Sequence, residues 1–356
     1  MSVKTKSKEP LIYRNPIREF QGFTLFTPLS LKMVYLIEMN GRVAHKWGLP
    51  LPASYDVRLL KNGNLLYMAR IESSPSLEFE GCGGKLIELD WSGKIVWEYE
   101  DKYMHHSFFR KRNGNTVFLK WIKVPDHMVP KIKGGIAGTE RKGNIWTDSI
   151  CEVNKYGRII YEWNAYEHLD IKKNIICPID FRSEWTHANS LFVMDNEDIL
   201  VNFMLTNTIC IIDKETGKIK WSWDGEVNHA HSISELENGN ILLFDNGLHA
   251  VGYSFSRVIE IDPDIKKIVW EYKEDSYLFF YSSMLGSAQR LDNGNTIICD
   301  STSGRIFEVT IEKEVVWEYL SPYRGNHDFF GFNNIIVNAT RYSPEYQAFK
   351  NKEWLI

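Results

Sequence analysis

Four histidines fall at one phase of a recurring phrase, and clustered imidazoles can do chemistry. The chain has 356 residues and ten histidines. Four stretches read KNGNLLY, RNGNTVF, ENGNILL and DNGNTII, beginning at Lys61, Arg112, Glu237 and Asp292. Counting back seven residues from the first Asn of each gives Tyr55, His106, His231 and Gly286. In a further repeat, Asp195-Asn196-Glu197-Asp198 replaces the phrase; the same count gives Asn189, with His187 two residues earlier. His327 falls near the equivalent place in the last repeat. Side chains alternate along a strand, so His187 shares a side with Asn189, and His229 with His231. A neutral imidazole can be a nucleophile, a general acid or base, or a metal ligand. His45, His168 and His249 lack this phase and read as structural; His105 and His127 are ambiguous.

The elements that must position these residues are short strands. An Asn-Gly step between two apolar runs is a strong hairpin signal, because both residues tolerate the positive φ of tight turns. A second phrase interlocks with the first: KIVWEYE, KIVWEYK and EVVWEYL, with KIKWSWD, RIIYEWN and VAHKWG as variants. Its first aromatic slot holds His45, Trp97, Tyr161, Trp221, Trp270 and Trp317, recurring at roughly 50 to 60 residues, an interval typical of propeller blades. Each repeat reads as four antiparallel strands, so the whole reads as an all-β, six-bladed β-propeller forming a single domain over residues 1–356. The aromatic slots are expected on outer strands, packing blade against blade. GFTLFTPL and MVYLIEMNG, within residues 1–40, look like later strands of a blade that the chain's last strands near NNIIVNATRY would complete.

In a propeller the first strand of each blade lines the central channel, so equivalent positions converge on one axis. Two long loops are expected to open on the same mouth: 71–85, and 123–149, read as a cap whose Lys123, Lys131, Lys133, Arg141 and Lys142 would favour an anionic ligand. The expected partner is a small aromatic or anionic molecule. A net charge of −4 gives no broad cationic field for nucleic acid. No apolar run is long enough to cross a bilayer and the first residues lack an apolar h-region, so no membrane association and a cytoplasmic location are expected. The five cysteines are far apart with no CxxC spacing, which indicates neither a disulfide framework nor a zinc motif, and reduced structural thiols are expected. The oligomeric state is not set by the sequence.

GFTLFTPL…VYLIEMNGRVAHKW, EWTHANS, HSISELENGNILLFDNG, RVIEID, GSAQRLDNGNTIICDSTSGRIFEV and VVWEYLSP together resemble the bacterial arylsulfotransferase family over most of the chain. The resemblance implies a six-bladed propeller that moves a sulfuryl group from a phenolic sulfate ester to another phenol by a ping-pong route, with no cofactor and a transiently sulfurylated channel histidine. By position it assigns that role to His231. His187 and Asn189 match a His-x-Asn pair that holds sulfuryl oxygens, and His106 matches the remaining channel histidine. The chain departs from the family pattern at Met204, where an arginine is usual, and in lacking a signal peptide. Arg257 and Arg290 are the candidates to supply the missing charge, with Tyr55 and His327 as further substrate contacts.

Two other readings remain open. In one, His106, His187, His231 and His327 bind a divalent transition metal for hydrolysis, elimination or oxidation of a small molecule; Met204 in place of an arginine would remove a charge hostile to a cation. In the other, the propeller is a non-catalytic platform that binds a ligand or a protein.

Overall fold

The computed structural model describes residues 9–29, 31–75, 81–224, 227–327 and 330–350. Six antiparallel sheets stand in a ring. Their inner strands, numbered here by blade from one to six, are Ile336–Tyr342, Ala53–Leu59, Met104–Arg110, Ala188–Val193, His231–Glu235 and Ser287–Arg290. The outer strands are Val43–Gly48, Ile95–Glu100, Ile159–Asn164, Ile219–Asp224, Lys267–Tyr272 and Val315–Leu320. The six-bladed propeller expected from the repeats is therefore observed.

Both chain ends close the ring. Blade one takes its inner strand from the end of the chain and its other three, Phe23–Pro28, Met33–Ile37 and Val43–Gly48, from the beginning. A second latch escaped the sequence: Leu11–Arg14 pairs antiparallel with Val315–Leu320 as a fifth strand on blade six.

The NGN hairpins differ in detail from the expected turn. Gly63 N donates to Leu60 O at 2.9 Å, Leu60 N donates to Asn64 O at 2.8 Å, and only the glycine has positive φ, at 89°. This is a type I turn closed by a left-handed glycine, in which Asn62 Oδ1 accepts from Asn64 N at 3.0 Å instead of taking a left-handed conformation itself. The second Asn ties the turn to the rest of its blade. Asn64, Asn115, Asn240 and Asn295 each donate to a third-strand carboxylate, Glu88, Glu152, Glu260 and Glu308, at 2.6–2.7 Å.

The aromatic slots join neighbouring blades, as expected. The indole N–H of Trp97, Trp221, Trp270 and Trp317 donates to Lys155 O, Pro263 O, Ile311 O and Met39 O on the next blade at 2.8–3.1 Å. Where the slot holds His45 or Tyr161, the indole two residues on, Trp47 or Trp163, lies on the same strand face and makes the link to Asp90 O or Gly217 O. Six such bonds encircle the molecule. Each is worth roughly 0.5–1.5 kcal/mol net, beyond the apolar burial between blades.

No helix among the described residues is long and apolar enough to cross a membrane. In the 123–149 insertion, Gly134–Ile136 pairs in parallel with Ile176–Phe181, and Arg182 binds Ile132 O, Gly134 O and Glu140 across the two segments.

Candidate active site

The inner strands converge on an axial cavity that is partly open to solvent. Tyr55, His106, Asn189, His231 and Gly286 all line it, so every position found by counting back seven residues reaches the axis. Val337 and Asn338 of the chain-terminal strand complete the circle. His327 does not join it. It lies in the short hairpin Gly325–His327/Gly331–Asn333 and lines a neighbouring pocket with Arg70, Cys82 and Tyr55, its Nε2 3.4 Å from an Arg70 guanidinium nitrogen. Tyr55 borders both spaces.

The residues one step further along each inner strand went unnoticed in the sequence, although they share a phase: Asp56, Ser107, Ser190, Ser232 and Ser287. Each accepts from a backbone N–H on the next blade, namely Phe108, Leu191, Ile233, Ala288 and Ala339, at 3.1–3.4 Å. Asn338 returns to Asp56 at 3.3 Å and closes the ring. Side-chain oxygens are needed here because the inner edge of each sheet leaves backbone donors that the blade cannot itself satisfy.

Irregular backbone at the start of the inner strands presents the histidines. Registers shift beside Ala53, Ala188, His231 and Phe118, the last opposite Phe108, and His106, His187 and His229 take positive φ of 52°, 48° and 59°. Non-glycine residues hold such angles only where the surroundings over-determine them. Loop 71–85 contributes: His106 N donates to Gly81 O, and a Cβ on Gly81 would lie 1.7 Å from the His106 ring, so only glycine fits.

The rings are wired differently. His231 Nδ1 lies 2.7 Å from Asn246 Oδ1 and 3.1 Å from His229 O. Asn246 Nδ2 donates to Ser282 O and Leu285 O, which orients the amide so that its oxygen faces the imidazole. His231 therefore carries its proton on Nδ1, leaving the lone pair on Nε2. Burial pushes His231 down to about 4, and the neighbouring charge of His187 adds to this against the bond to Asn246. His106 is held well below the ordinary imidazole value by burial, then by His187, His105 and His231. Its Nδ1 is 2.9 Å from His105 Nδ1, and His105 Nε2 is 3.1 Å from Asp148 Oδ1.

His187 is the opposite case. It packs its ring against His106 at 4.5 Å but does not itself line the cavity. Its Nδ1 is 2.9 Å from Glu184 Oε2, which also accepts from Trp121 Nε1. Burial acts to lower His187, but Glu184, with Asp148 and Asp180, lifts it above the ordinary value. One imidazole whose surroundings favour the protonated form thus backs two whose surroundings favour the neutral form. Asn189 Nδ2 donates to Ala230 O, and its Oδ1 accepts from Asn202.

A family model for arylsulfotransferase (ASST) matches residues 6–319. The chain belongs to the arylsulfotransferase family. No curated protein sequence matches it significantly. Among solved structures, one of a protein of unknown function from Bacteroides caccae superposes with TM-score 0.58 at 13% identity, covering 90% of this chain and 98% of that one. A streptogramin B lyase superposes with TM-score 0.51 at 13% identity, covering 92% and 87%. At those identities the likeness is one of fold.

The departure from the arylsulfotransferase pattern at Met204 has a structural counterpart. Met204 is buried with Phe203 and Leu205 in an apolar cluster, its N–H on His187 O, and does not line the cavity. Neither do Arg257 and Arg290. Arg257 pairs with Asp245 and Glu271. Arg290 lies over Trp270 and pairs with Glu260, repeating the way Arg110 joins Trp97 to Glu88 and Arg341 joins Trp317 to Glu308. It is an inter-blade clamp. Arg110 and Arg290 stand three residues before their NGN phrases, a phase that marks this role. Arg58 stands four before, and it is the Lys or Arg that lines the axial cavity among the described residues, held by Asp56 at 3.0 and 3.2 Å. None of Lys123, Lys131, Lys133, Arg141 or Lys142 lines either cavity; the 123–149 insertion packs on the 174–182 segment instead of over the axis.

Proposed function

We propose that this protein transfers a sulfuryl group between phenolic compounds through a covalent intermediate on His231. The observation that carries the reading is the fixed tautomer of His231: its Nδ1 proton is committed to Asn246 Oδ1, so the bare Nε2 belongs to a ring lining the axial cavity. Membership of the arylsulfotransferase family supports the same chemistry.

In the first half-reaction Nε2 attacks sulfur of an aryl sulfate. The N–S bond forms, the S–O bond to the aryl group breaks, and the phenolate leaves with the electron pair and takes a proton from solvent. In the second, the acceptor phenol gives its proton to His106 as its oxygen attacks sulfur; the N–S bond breaks, His231 is restored, and His106 passes the proton to solvent. The neighbouring imidazolium of His187, the Arg58 guanidinium and the Asn189 amide favour the sulfuryl oxygens as charge builds on them. Arg58 supplies from the second blade the cation that Met204 does not. Tyr55, stacked on His106 at 5.3 Å, offers a ring face to an aromatic substrate.

The test is incubation of purified protein with 4-nitrophenyl sulfate and a phenol. Nitrophenolate release that depends on the phenol, with appearance of the aryl sulfate of that phenol, is expected. Full activity in His231→Ala would sink the assignment.

A further inference from the structure

A second cluster of ligating side chains lies beside the active site, and none of them touches the substrate in the scheme above. Cys177 and Asp180 sit on the strand Ile176–Phe181, His229 just ahead of the inner strand of blade five, and His249 in the loop after Ile241–Asp245. One donor atom from each lies within 4.8 Å of all the others. We infer that Cys177, Asp180, His229 and His249 form a tetrahedral transition-metal site of zinc type, which staples the Ile176–Phe181 strand to the segment presenting His231.

The donor set is one thiolate, one carboxylate and two imidazoles, which suits zinc or cobalt and not magnesium or calcium. Cys177 Sγ is 3.6 Å from His249 Nδ1, and Asp180 Oδ1 is 3.4 Å from the same nitrogen. A tetrahedron with bonds of about 2.0–2.3 Å has edges of roughly 3.3–3.8 Å. His229 Nε2 and Asp180 Oδ2, at 2.6 Å, are closer, at hydrogen-bond distance, so a metal would displace that shared proton.

Two further observations point to a ligand. His229 Nδ1 is 3.0 Å from Leu248 O, which fixes its proton there and turns Nε2 inward, the way a metal-bound imidazole is usually anchored. Asp180 is 4% exposed and its ion-pair contacts among the described residues are the two histidines, with no lysine or arginine. A divalent ion bound by Cys177 thiolate and Asp180 carboxylate would leave the site neutral.

The staple would have work to do. Among the described residues, Ile176–Phe181 pairs as a strand only with the three residues Gly134–Ile136, and Ile179 and Phe181 are exposed. His229 O lies 3.1 Å from His231 Nδ1 on the same segment, so fixing His229 restrains the ring two residues on.

Untagged protein, stripped with chelator and dialysed, would be titrated with cobalt(II). Intense visible bands of tetrahedral cobalt and a thiolate charge-transfer band, saturating at one equivalent and bleached by zinc, are expected, with a rise in Tm. Cys177→Ser should lose the charge-transfer band, and His249→Ala should weaken binding by at least about tenfold, whereas His106→Ala and His231→Ala should keep the spectrum. Absence of the bands in the native sequence, or their persistence unchanged in Cys177→Ser, would overturn the inference. So would their loss in His106→Ala and His231→Ala, which would put the ion on the axis.

Discussion

Asn246 Oδ1 lies 2.7 Å from His231 Nδ1, and the amide that carries it is oriented by two backbone carbonyls. A hydrogen bond of this kind decides which ring nitrogen is free to attack. Asn246→Ala removes the acceptor and lets the proton migrate to Nε2. Turnover should fall by about 10–100-fold with KM little changed, as the wrong tautomer affects chemistry more than binding. Steady-state kinetics with 4-nitrophenyl sulfate would read this out.

Arg58 is the guanidinium facing the cavity. Its partner Asp56 fixes its direction but offsets its charge, so its contribution is to bind sulfate oxygens through its remaining donors. Arg58→Met should raise KM for an anionic aryl sulfate roughly tenfold while leaving KM for the uncharged acceptor phenol nearly unchanged. Arg290→Met should not change the donor KM and should lower stability instead, because Arg290 joins Trp270 to Glu260.

The scheme needs His187 protonated. Its pKa is raised above the ordinary imidazole value, so the imidazolium persists to higher pH than that of an ordinary histidine and is lost as pH rises through that raised value; the rate should therefore fall on the alkaline side. The groups that set this limb are Glu184, Asp148 and Asp180, which raise it, and the nearby rings of His106 and His231. In Glu184→Gln the alkaline limb should move to lower pH. A pH–rate profile whose alkaline limb is the same in both proteins would remove His187 from the mechanism.

Trp317 closes the ring between blades six and one, donating to Met39 O at 2.8 Å while Arg341 lies over its face. Trp317→Phe leaves a buried carbonyl without its donor and a smaller ring under the guanidinium. A loss of about 1–3 kcal/mol in urea unfolding is expected. Trp97 makes the same link at a more exposed place, and Trp97→Phe should cost under about 1 kcal/mol.

Much of this was legible in the sequence because propeller symmetry turns sequence phase into spatial position. Counting from the NGN phrase brought Tyr55, His106, Asn189, His231 and Gly286 to one axis, and Trp97, Trp221, Trp270 and Trp317 to one kind of contact. The count failed where the symmetry breaks. His327 belongs to an extra hairpin, and the inner strand of the closing blade begins later, at Ile336. Arg257 and Arg290 were plausible as cations, but a charge on a strand says nothing of which carboxylate it meets until the neighbouring blade is in place. The ring of Ser107, Ser190, Ser232 and Ser287 was open to the same counting and was passed over because serine is common. Cys177, Asp180, His229 and His249 come from three segments, so no spacing rule could have joined them.

The central claim is a sulfuryl group on His231, and trapping it is the most direct test. Protein mixed with excess 4-nitrophenyl sulfate and no acceptor, then quenched at alkaline pH and digested, should carry a mass increase of about 80 Da on the peptide containing His231. The adduct should vanish when a phenol is added before the quench. Phenol-dependent turnover with no such adduct, or an adduct mapped to another residue, would contradict the account.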